Sequence, residues 1–484
     1  MNVRLSLVDM QALSPLLIVL IGALLILLLE SFHEKLAKRW SFPLTLATLA
    51  VALLALYGAP SSQNILLTHW VRFDALGRFF TAFFLLIGIG VACLSSAFFK
   101  RFENTHGEYY FLLLCSLFGL ILIGSAADFL TLFLGIETLS IALYILCAYM
   151  KKWGMSQEAS IKYFLMGSLA AAFLLYGIAL IYGAVGTTHL SGVLKGYQNL
   201  SIASDKLLFL SGVVFLTFGL AFKAAIVPFH IWAPDVYDGA PNPVTAFMAV
   251  GTKVGAFAAL ARVFLEALPN FNPLWNHAMA LLAFITLVYA NFVALQQTQL
   301  RRFFAYSGIS HAGFLLIPFA AGGNEALPAL LLYLVVYAIA TLGAFSILAF
   351  LDKGSQGAMV EDLNGLFQRA PFLTCVFALC LLTLAGIPPF IGFFAKFYIF
   401  MVAFKAGYYG LVIAALLTTI LAAYYYLRMI GAMFTPASTE AKPSCSWPAV
   451  TLGCASFVIL GMVSFFPGVF LNFLSEVFQN PRSF

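Results

Sequence analysis

AFKAAIVPFHIWAPDVYDGAPNP, residues 221–243, decides how this chain is read. It begins inside an apolar helical run, places a lysine (Lys223) in that run, and then breaks it at Pro228. Proline removes a backbone donor and clashes with the preceding turn. Inside a bilayer the freed backbone groups must face protein or water, because lipid offers no partner. The whole apolar run, about residues 206–237, is too long for one straight span of roughly 20 residues. A broken membrane helix is therefore expected here. One other run has the same character: 371–404, interrupted by Gly386-Ile387-Pro388-Pro389.

The rest of the chain agrees with a bilayer. Of 484 residues 63% are hydrophobic and 9% charged, and the mean hydropathy is +1.00. Soluble domains carry roughly 25% charged residues, so one polytopic all-α membrane domain is expected over 1–484. Spans of about 20 residues with short loops fit about fourteen helices. They are placed at 12–32, 42–60, 75–99, 109–125, 127–150, 157–184, 206–237, 242–267, 275–297, 301–321, 326–351, 371–404, 407–435 and 447–475. The first run is longer than a signal-peptide core and lacks a small-residue cleavage site, so it reads as a retained helix.

The two broken helices, the seventh and twelfth, lie five helices apart. Discontinuous helices at matching places in two halves point to an inverted repeat with its site near the midplane. Five is odd, so the second copy is turned over. The expected division is 1–105 for helices one to three, 106–268 and 269–436 for the copies (helices four to eight and nine to thirteen), and 437–484 for the last helix. Lys223 precedes its break whereas Lys396 follows its own, and register alone leaves open whether the two lysines are equivalent.

Basic clusters set the orientation. Lys35, Lys38 and Arg39, then Lys100 and Arg101, Lys151 and Lys152, and Arg301 and Arg302 all fall on one face of a fourteen-helix chain. That face is expected to be cytoplasmic, with both termini outside. The net charge of +6 forms no basic stripe and does not indicate nucleic acid. None of the seven cysteines forms a C-x-x-C pair, so no iron–sulfur cluster, zinc site or disulfide framework is indicated. Gly88-Ile89-Gly90 is an isolated fragment, and no P-loop, zincin pattern or nucleophile triad appears.

Four ionisable residues near the middle of apolar runs carry the chemistry: Glu137, Lys223, Lys253 and Lys396. A charge at the bilayer centre costs roughly 3 kcal/mol, and four facing lipid would cost on the order of 10 kcal/mol. The usual return on that cost is movement of protons or ions. Glu137 shares a helical face with Ser140 and Tyr144 and reads as a proton acceptor and counter-charge to a lysine. The alternative is a structural ion pair between helices. Desolvation makes a buried lysine able to release its proton, and a nearby carboxylate restores the charged form. Lys253 lies between Gly251 and Gly255, which permit close backbone approach. Lys396 reads as the exit group, against an interfacial anchor. His311 can pass a proton between its two ring nitrogens. His230, beside Pro228, and Lys162, paired at i, i+4 with Glu158, are further candidates.

The stretch 221–243, together with RRFFAYSGISH at 301–311, resembles the antiporter-like membrane subunits of proton-pumping NADH–quinone oxidoreductase, respiratory complex I. The resemblance covers nearly the whole chain. Within that family the branch known as subunit N is nearest: the chain stops after helix fourteen, Lys396 is a lysine rather than a glutamate, and EASIKYF at 158–164 fits that branch. Position 308 is glycine where the family often has serine. The resemblance implies proton translocation along Glu137, Lys223, Lys253, His311 and Lys396, driven by redox chemistry in other subunits. It implies no cofactor or metal in this chain, with NADH, FMN, iron–sulfur clusters and quinone held by partners. The implied partners are sibling membrane subunits and lipid, and the implied place is a bacterial inner (plasma) membrane. A cation/proton antiporter subunit of the Mrp type is the alternative.

Overall fold

A computed structural model describes residues 7–59, 65–102, 106–269, 273–436, 447–465 and 468. Long apolar helices run through all of it, and among the described residues extended pairing is limited to three isolated bridges. The crossings are α1 (Ser14–Phe32), α2 (Glu34–Gly58), α3 (Ala75–Arg101), α4 (Gly107–Ser125), α5 (Phe129–Cys147) and α6 (Gly154–Val185). Then come α7 (Ala203–Ala224 and Trp232–Gly239), α8 (Asn242–Ala267), α9 (Pro273–Ala294), α10 (Leu300–Ala321) and α11 (Ala326–Leu351). The last are α12 (Pro371–Ala385 and Ile391–Lys405), α13 (Tyr409–Phe434) and α14 (Trp447–Phe465). The expected continuation of α14 to residue 475 lies outside the described residues.

Each expected span is present, with one clear change of boundary. α2 starts at Glu34 rather than at residue 42. Its first turns are too charged to register as a membrane span, yet no breaker precedes Pro43, and Lys38 pairs with Glu34 one turn away at 2.6 Å. Helical backbone simply continues past the apolar segment.

The two breaks have the same backbone. The first half of α7 is capped by Ala225 at φ +55°, and the first half of α12 by Gly386 at φ +77°. In each, the next residue's N–H reaches back five positions, Ile226 to the Ala221 carbonyl (2.9 Å) and Ile387 to the Leu382 carbonyl (3.3 Å). This is the Schellman closure, which satisfies carbonyls that the broken helix leaves free. The pattern also repeats in the loops. Phe129 N–H bonds the Thr188 carbonyl (3.0 Å) and Leu190 N–H the Ala127 carbonyl (3.0 Å). Five crossings later, Leu300 bonds Ala358 (2.9 Å) and Val360 bonds Thr298 (2.8 Å). The first clasp precedes α5 and the second precedes α10, so they sit on opposite membrane faces.

This register answers the question of the two lysines. Counting from the matched caps, the partner of Lys223 is Leu384, so Lys223 and Lys396 occupy different sites.

α8 and α10 form the centre, every residue of their apolar windows being buried, whereas α1, α2 and α14 keep only about a third or fewer buried. Charge within those windows, such as Lys253 on α8, is thus shielded from lipid by protein. α8 is irregular in a way the sequence did not indicate. π-helical turns at Met248–Thr252 and Ala261–Ala267 flank a normal segment that begins at Lys253. Such π-turns re-aim side chains and concentrate at functional sites.

Candidate functional site

The line of buried groups starts at the first break. Lys223 sits in the last turn of the first half of α7 and is 6% exposed. Its Nζ lies over the rings of Tyr163 (5.1 Å) and Tyr144 (5.5 Å), and the Tyr163 ring stacks on Trp232 at 4.5 Å. Trp232 is pinned in turn by its Nε1–H, which donates to the Phe222 carbonyl at 2.9 Å. Desolvated cation–π contacts are worth about 2 kcal/mol, less than the cost of burying an ammonium. Glu137 on α5 is half-buried and forms no ion pair with Lys223 within 4.0 Å. Lys223 Nζ, Glu137 Oε1 and the Tyr144 and Tyr163 hydroxyls all lack a well-formed hydrogen bond to protein. Buried polar atoms seldom go unpartnered, so four together mark a place built for something polar.

Lys253 is next. It is 2% exposed, and its Nζ donates to the Gly308 carbonyl on α10 at 2.6 Å and to the Ala224 carbonyl at 3.4 Å. Ala224 ends the broken half-helix of α7, so its carbonyl is one of those the break sets free. Tyr337 of α11 closes the other side, donating its hydroxyl to the Ala249 carbonyl at 3.0 Å. A Cβ on Gly308 would stand 3.2 Å from the Tyr337 oxygen and 3.7 Å from Lys253 Nζ. Glycine at this position therefore keeps space beside the ammonium open.

His311 lies one turn further along α10, 3% exposed. Its Nδ1 is 2.7 Å from the Tyr333 hydroxyl and its Nε2 3.2 Å from the Tyr426 hydroxyl. Tyr426 also shares a very short hydrogen bond with Ser307, the neighbour of Gly308. Both ring nitrogens thus have a hydroxyl that can give or take a proton. Lys396, 3% exposed, lies beyond Phe314, with Nζ 4.7 Å from that ring. It donates to the Ala385 carbonyl at 2.9 Å, the last carbonyl of the first half of α12. Each break therefore presents its terminal carbonyl to a buried lysine: Ala224 to Lys253 and Ala385 to Lys396.

The two further candidates lie off this line. The Lys162 side chain is 43% exposed and bridges Glu158 (2.7 Å) and Asp235 (3.0 Å), while Asp235 also holds Arg302 (2.9 Å). His230 is buried beside Tyr289, ring centres 4.7 Å apart, and its Nδ1 has no well-formed protein partner.

Sequence reasoning missed two buried ion networks. Arg301, read as a topology signal, is 1% exposed. It donates to both oxygens of Asp352 (2.7 and 2.8 Å) and to the carbonyls of Asp238, Ala240 and Gly354, tying α7, α10 and the loop after α11 together. Arg262 is fully buried near the end of α8 and bridges Asp74 (2.6 Å) and Glu266 (2.6 Å). Arg72 joins the same carboxylates. Asp74 also caps α3 through the Gly77 N–H at 2.7 Å. Burial pushes the Asp74 carboxyl up, but Arg262 and then Arg72 outweigh it and hold it below its ordinary range. The only sequence signal for either network was a charged residue inside or at the edge of an apolar run. Among the described residues no group of three or more His, Cys, Asp or Glu is placed to hold a metal ion.

The chain as a whole is similar to known membrane proteins. Residues 126–422 match the family model described as NADH:quinone oxidoreductase/Mrp antiporter, TM. NADH-quinone oxidoreductase subunit N of Protochlamydia amoebophila is 59% identical over 478 residues, 99% of this chain and 100% of the relative. Its counterpart in Chloroflexus aggregans is 39% identical over 88% of both chains. Among solved structures, a chain of respiratory complex I from Thermus thermophilus with bound aureothin superposes with a TM-score of 0.81 at 33% identity, covering 95% of this chain and 98% of that one. A chain of the Mrp complex from Dietzia sp. superposes at 0.82 with 20% identity over 98% of each, a likeness of fold.

Proposed function

The chain belongs to the NADH:quinone oxidoreductase/Mrp antiporter transmembrane family, and we propose that Glu137, Lys223, Lys253, His311 and Lys396 form its proton path. It is a multi-pass membrane-arm subunit of a proton-translocating NADH–quinone oxidoreductase, working beside sibling membrane subunits. Redox centres (FMN, iron–sulfur clusters and the quinone site) belong to those partners on this reading. The two five-helix copies span 106–268 and 269–436, between helices one to three at 1–105 and the last helix at 437–484. The basic face is cytoplasmic in a bacterial inner membrane, with both termini outside.

The observation that carries the path is Lys253. Its ammonium lies at the centre of the protein, between the α7 break and α10, and holds two carbonyls. Among the described residues it has no carboxylate within 4.0 Å, and neither does Lys396. A buried ammonium held only by neutral acceptors lacks the stabilisation a carboxylate would give its charge, which is what a lysine that hands its proton on requires. Lys223 is the switch: moving Glu137 towards or away from it alters the cost of its charge. Moving one proton against 100 mV takes about 2.3 kcal/mol, and making or breaking a charged hydrogen bond is worth about 1.5–3 kcal/mol. From Lys253 the proton passes by Ser307 and the Tyr426 hydroxyl to His311. Water carries it past Phe314, whose ring lies against Lys396 Nζ, to Lys396. Lys162 modulates Lys223 from outside the path, and His230 orders the first break.

An Mrp-type cation/proton antiporter shares the fold, but at 20% identity the likeness says nothing of its cargo here. The 59% identity over the full length favours the quinone oxidoreductase. The test is Lys396→Met in the assembled complex reconstituted into vesicles. Protons pumped per NADH should fall severalfold, and a ratio equal to wild type would refute the path.

A further inference from the structure

A cavity of about 470 Å³ opens where α3 ends, α4 begins and α5 ends, on the face that carries Lys100, Arg101, Lys151 and Lys152. Its wall is aromatic and fixed. Trp153 packs against Phe98 (6.1 Å) and Phe102 (5.6 Å), and Tyr149 against Phe99 (5.1 Å) and Tyr109 (5.4 Å). The loop bearing the lysines is tied down as well: Trp153 N–H donates to the Met150 carbonyl (2.8 Å), and Gln157 Nε2 to the Lys151 carbonyl (2.7 Å). Lys151 and Lys152, both exposed, line the cavity. Tyr149 lines it too, and this ring is 8% exposed with a hydroxyl that has no well-formed hydrogen bond to protein. Glu108 and His106 complete the rim, and His106 is already engaged by Glu30 at 3.3 Å. Two ammonium groups thus share the lining with one carboxylate, Glu108, while Glu30 lies behind His106.

We infer that this cavity seats the phosphodiester headgroup of an anionic phospholipid, held by Lys151, Lys152 and the Tyr149 hydroxyl. Three features choose lipid over free phosphate. The cavity lies at the ends of membrane helices, the depth at which headgroups sit. Trp and Tyr beside Lys is the side-chain set of the membrane–water boundary. Below it, α5 presents an exposed apolar stripe, Leu134 (56%), Ile141 (57%) and Ile145 (50%), along which acyl chains can lie. The site takes no part in the proton path. It fixes the ends of α3, α4 and α5, and α5 is the helix that carries Glu137.

Photo-crosslinking to the reconstituted complex tests this. A phosphatidylglycerol with a photoactivatable group near its headgroup is incorporated into the vesicles, and labelled peptides are mapped by mass spectrometry. Labelling of the peptide containing Trp153 should exceed that from a matched phosphatidylcholine probe. It should fall tenfold or more in the double variant Lys151→Glu/Lys152→Glu, as expected when each lysine contributes about fivefold. It should fall severalfold in Tyr149→Phe, whose packing is unchanged. Unlabelled phosphatidylglycerol should compete, and inorganic phosphate should not. Equal labelling by the phosphatidylcholine probe, full labelling in the double variant, or displacement by inorganic phosphate would each overturn the assignment.

Discussion

Gly386→Ala tests how the second break controls Lys396. The residue sits at φ +77°, where a side chain costs about 1 kcal/mol. An added Cβ would also lie 2.7 Å from Lys396 Cδ and 3.3 Å from Nζ. Cδ is in the middle of the side chain, so the stem must move and Nζ must leave the Ala385 carbonyl, now 2.9 Å away. A hydrogen bond to a charged group is worth about 1.5–3 kcal/mol. The strained cap weakens the fold, whereas only the displaced hydrogen bond acts on Lys396; a loss of about 1.5–3 kcal/mol there would cut proton transfer by about ten- to a hundredfold. The control is Ala225→Gly at the matching position of the first break. There an alanine already bears φ +55°, so glycine relieves strain. Pumping by reconstituted complex is followed by quenching of a pH-sensitive dye, with NADH–ferricyanide activity as the measure of assembled enzyme. Gly386→Ala should lose most pumping per assembled complex while Ala225→Gly keeps it. Wild-type pumping by Gly386→Ala would refute the claim that this cap positions Lys396.

Three further outcomes follow from the same geometry. Arg301→Met leaves Asp352 buried and unpaired, a loss of about 3–5 kcal/mol, so the chain should accumulate poorly in assembled complex on native gels. Arg301→Met with Asp352→Leu should recover assembly. His311→Asn removes a group bonded to two tyrosine hydroxyls; pumping should drop at least tenfold with thermal stability almost unchanged. Asp74→Asn removes a carboxylate that Arg262 and Arg72 hold below its ordinary range. A lowered folded pKa stabilises the fold above the unfolded value of about 4 and loses that effect as pH falls through the folded value. The melting gap between wild type and variant should therefore be constant near pH 7 and close below about pH 4.

The breaks were legible because proline leaves a mark in sequence that a bilayer amplifies. Pro228 and Pro388-Pro389 identified α7 and α12, and their spacing of five helices indicated inversion. What stayed hidden depends on side-chain direction. Lys223 precedes its break and Lys396 follows its own, yet it takes the αL caps at Ala225 and Gly386 to align the two breaks and settle that the lysines occupy different registers. The π-turns around Lys253 leave no distinct signature, because the weak helix formers in MAVGT (Val250, Gly251 and Thr252) lower helix propensity without specifying a π-turn, and ARVFLEA reads as ordinary α-helix. Arg301 reads as a topology signal because a basic residue at a helix end ordinarily is one; its second role, in a buried ion pair, arises from a loop after α11 folding back over it. Glu137 reads from the sequence as a counter-charge to a lysine, but the cradle around Lys223 was hidden, because the sequence offers Tyr144 and Tyr163 only as two aromatics on adjacent helices.

The central claim is that a lysine enclosed by protein on every side hands protons onward. Lys253→Met keeps an unbranched apolar stem as far as Cε, with sulfur in place of Cδ, and removes the ammonium, so most of the packing among Gly308, Ala224 and Tyr337 is retained. Measured in vesicles with assembled, NADH-oxidising complex, this variant should lose at least nine-tenths of its proton-coupled quinone reduction, as expected for removal of a positioned proton carrier worth about 10²-fold or more. Unchanged pumping and turnover in the same vesicles would contradict the account.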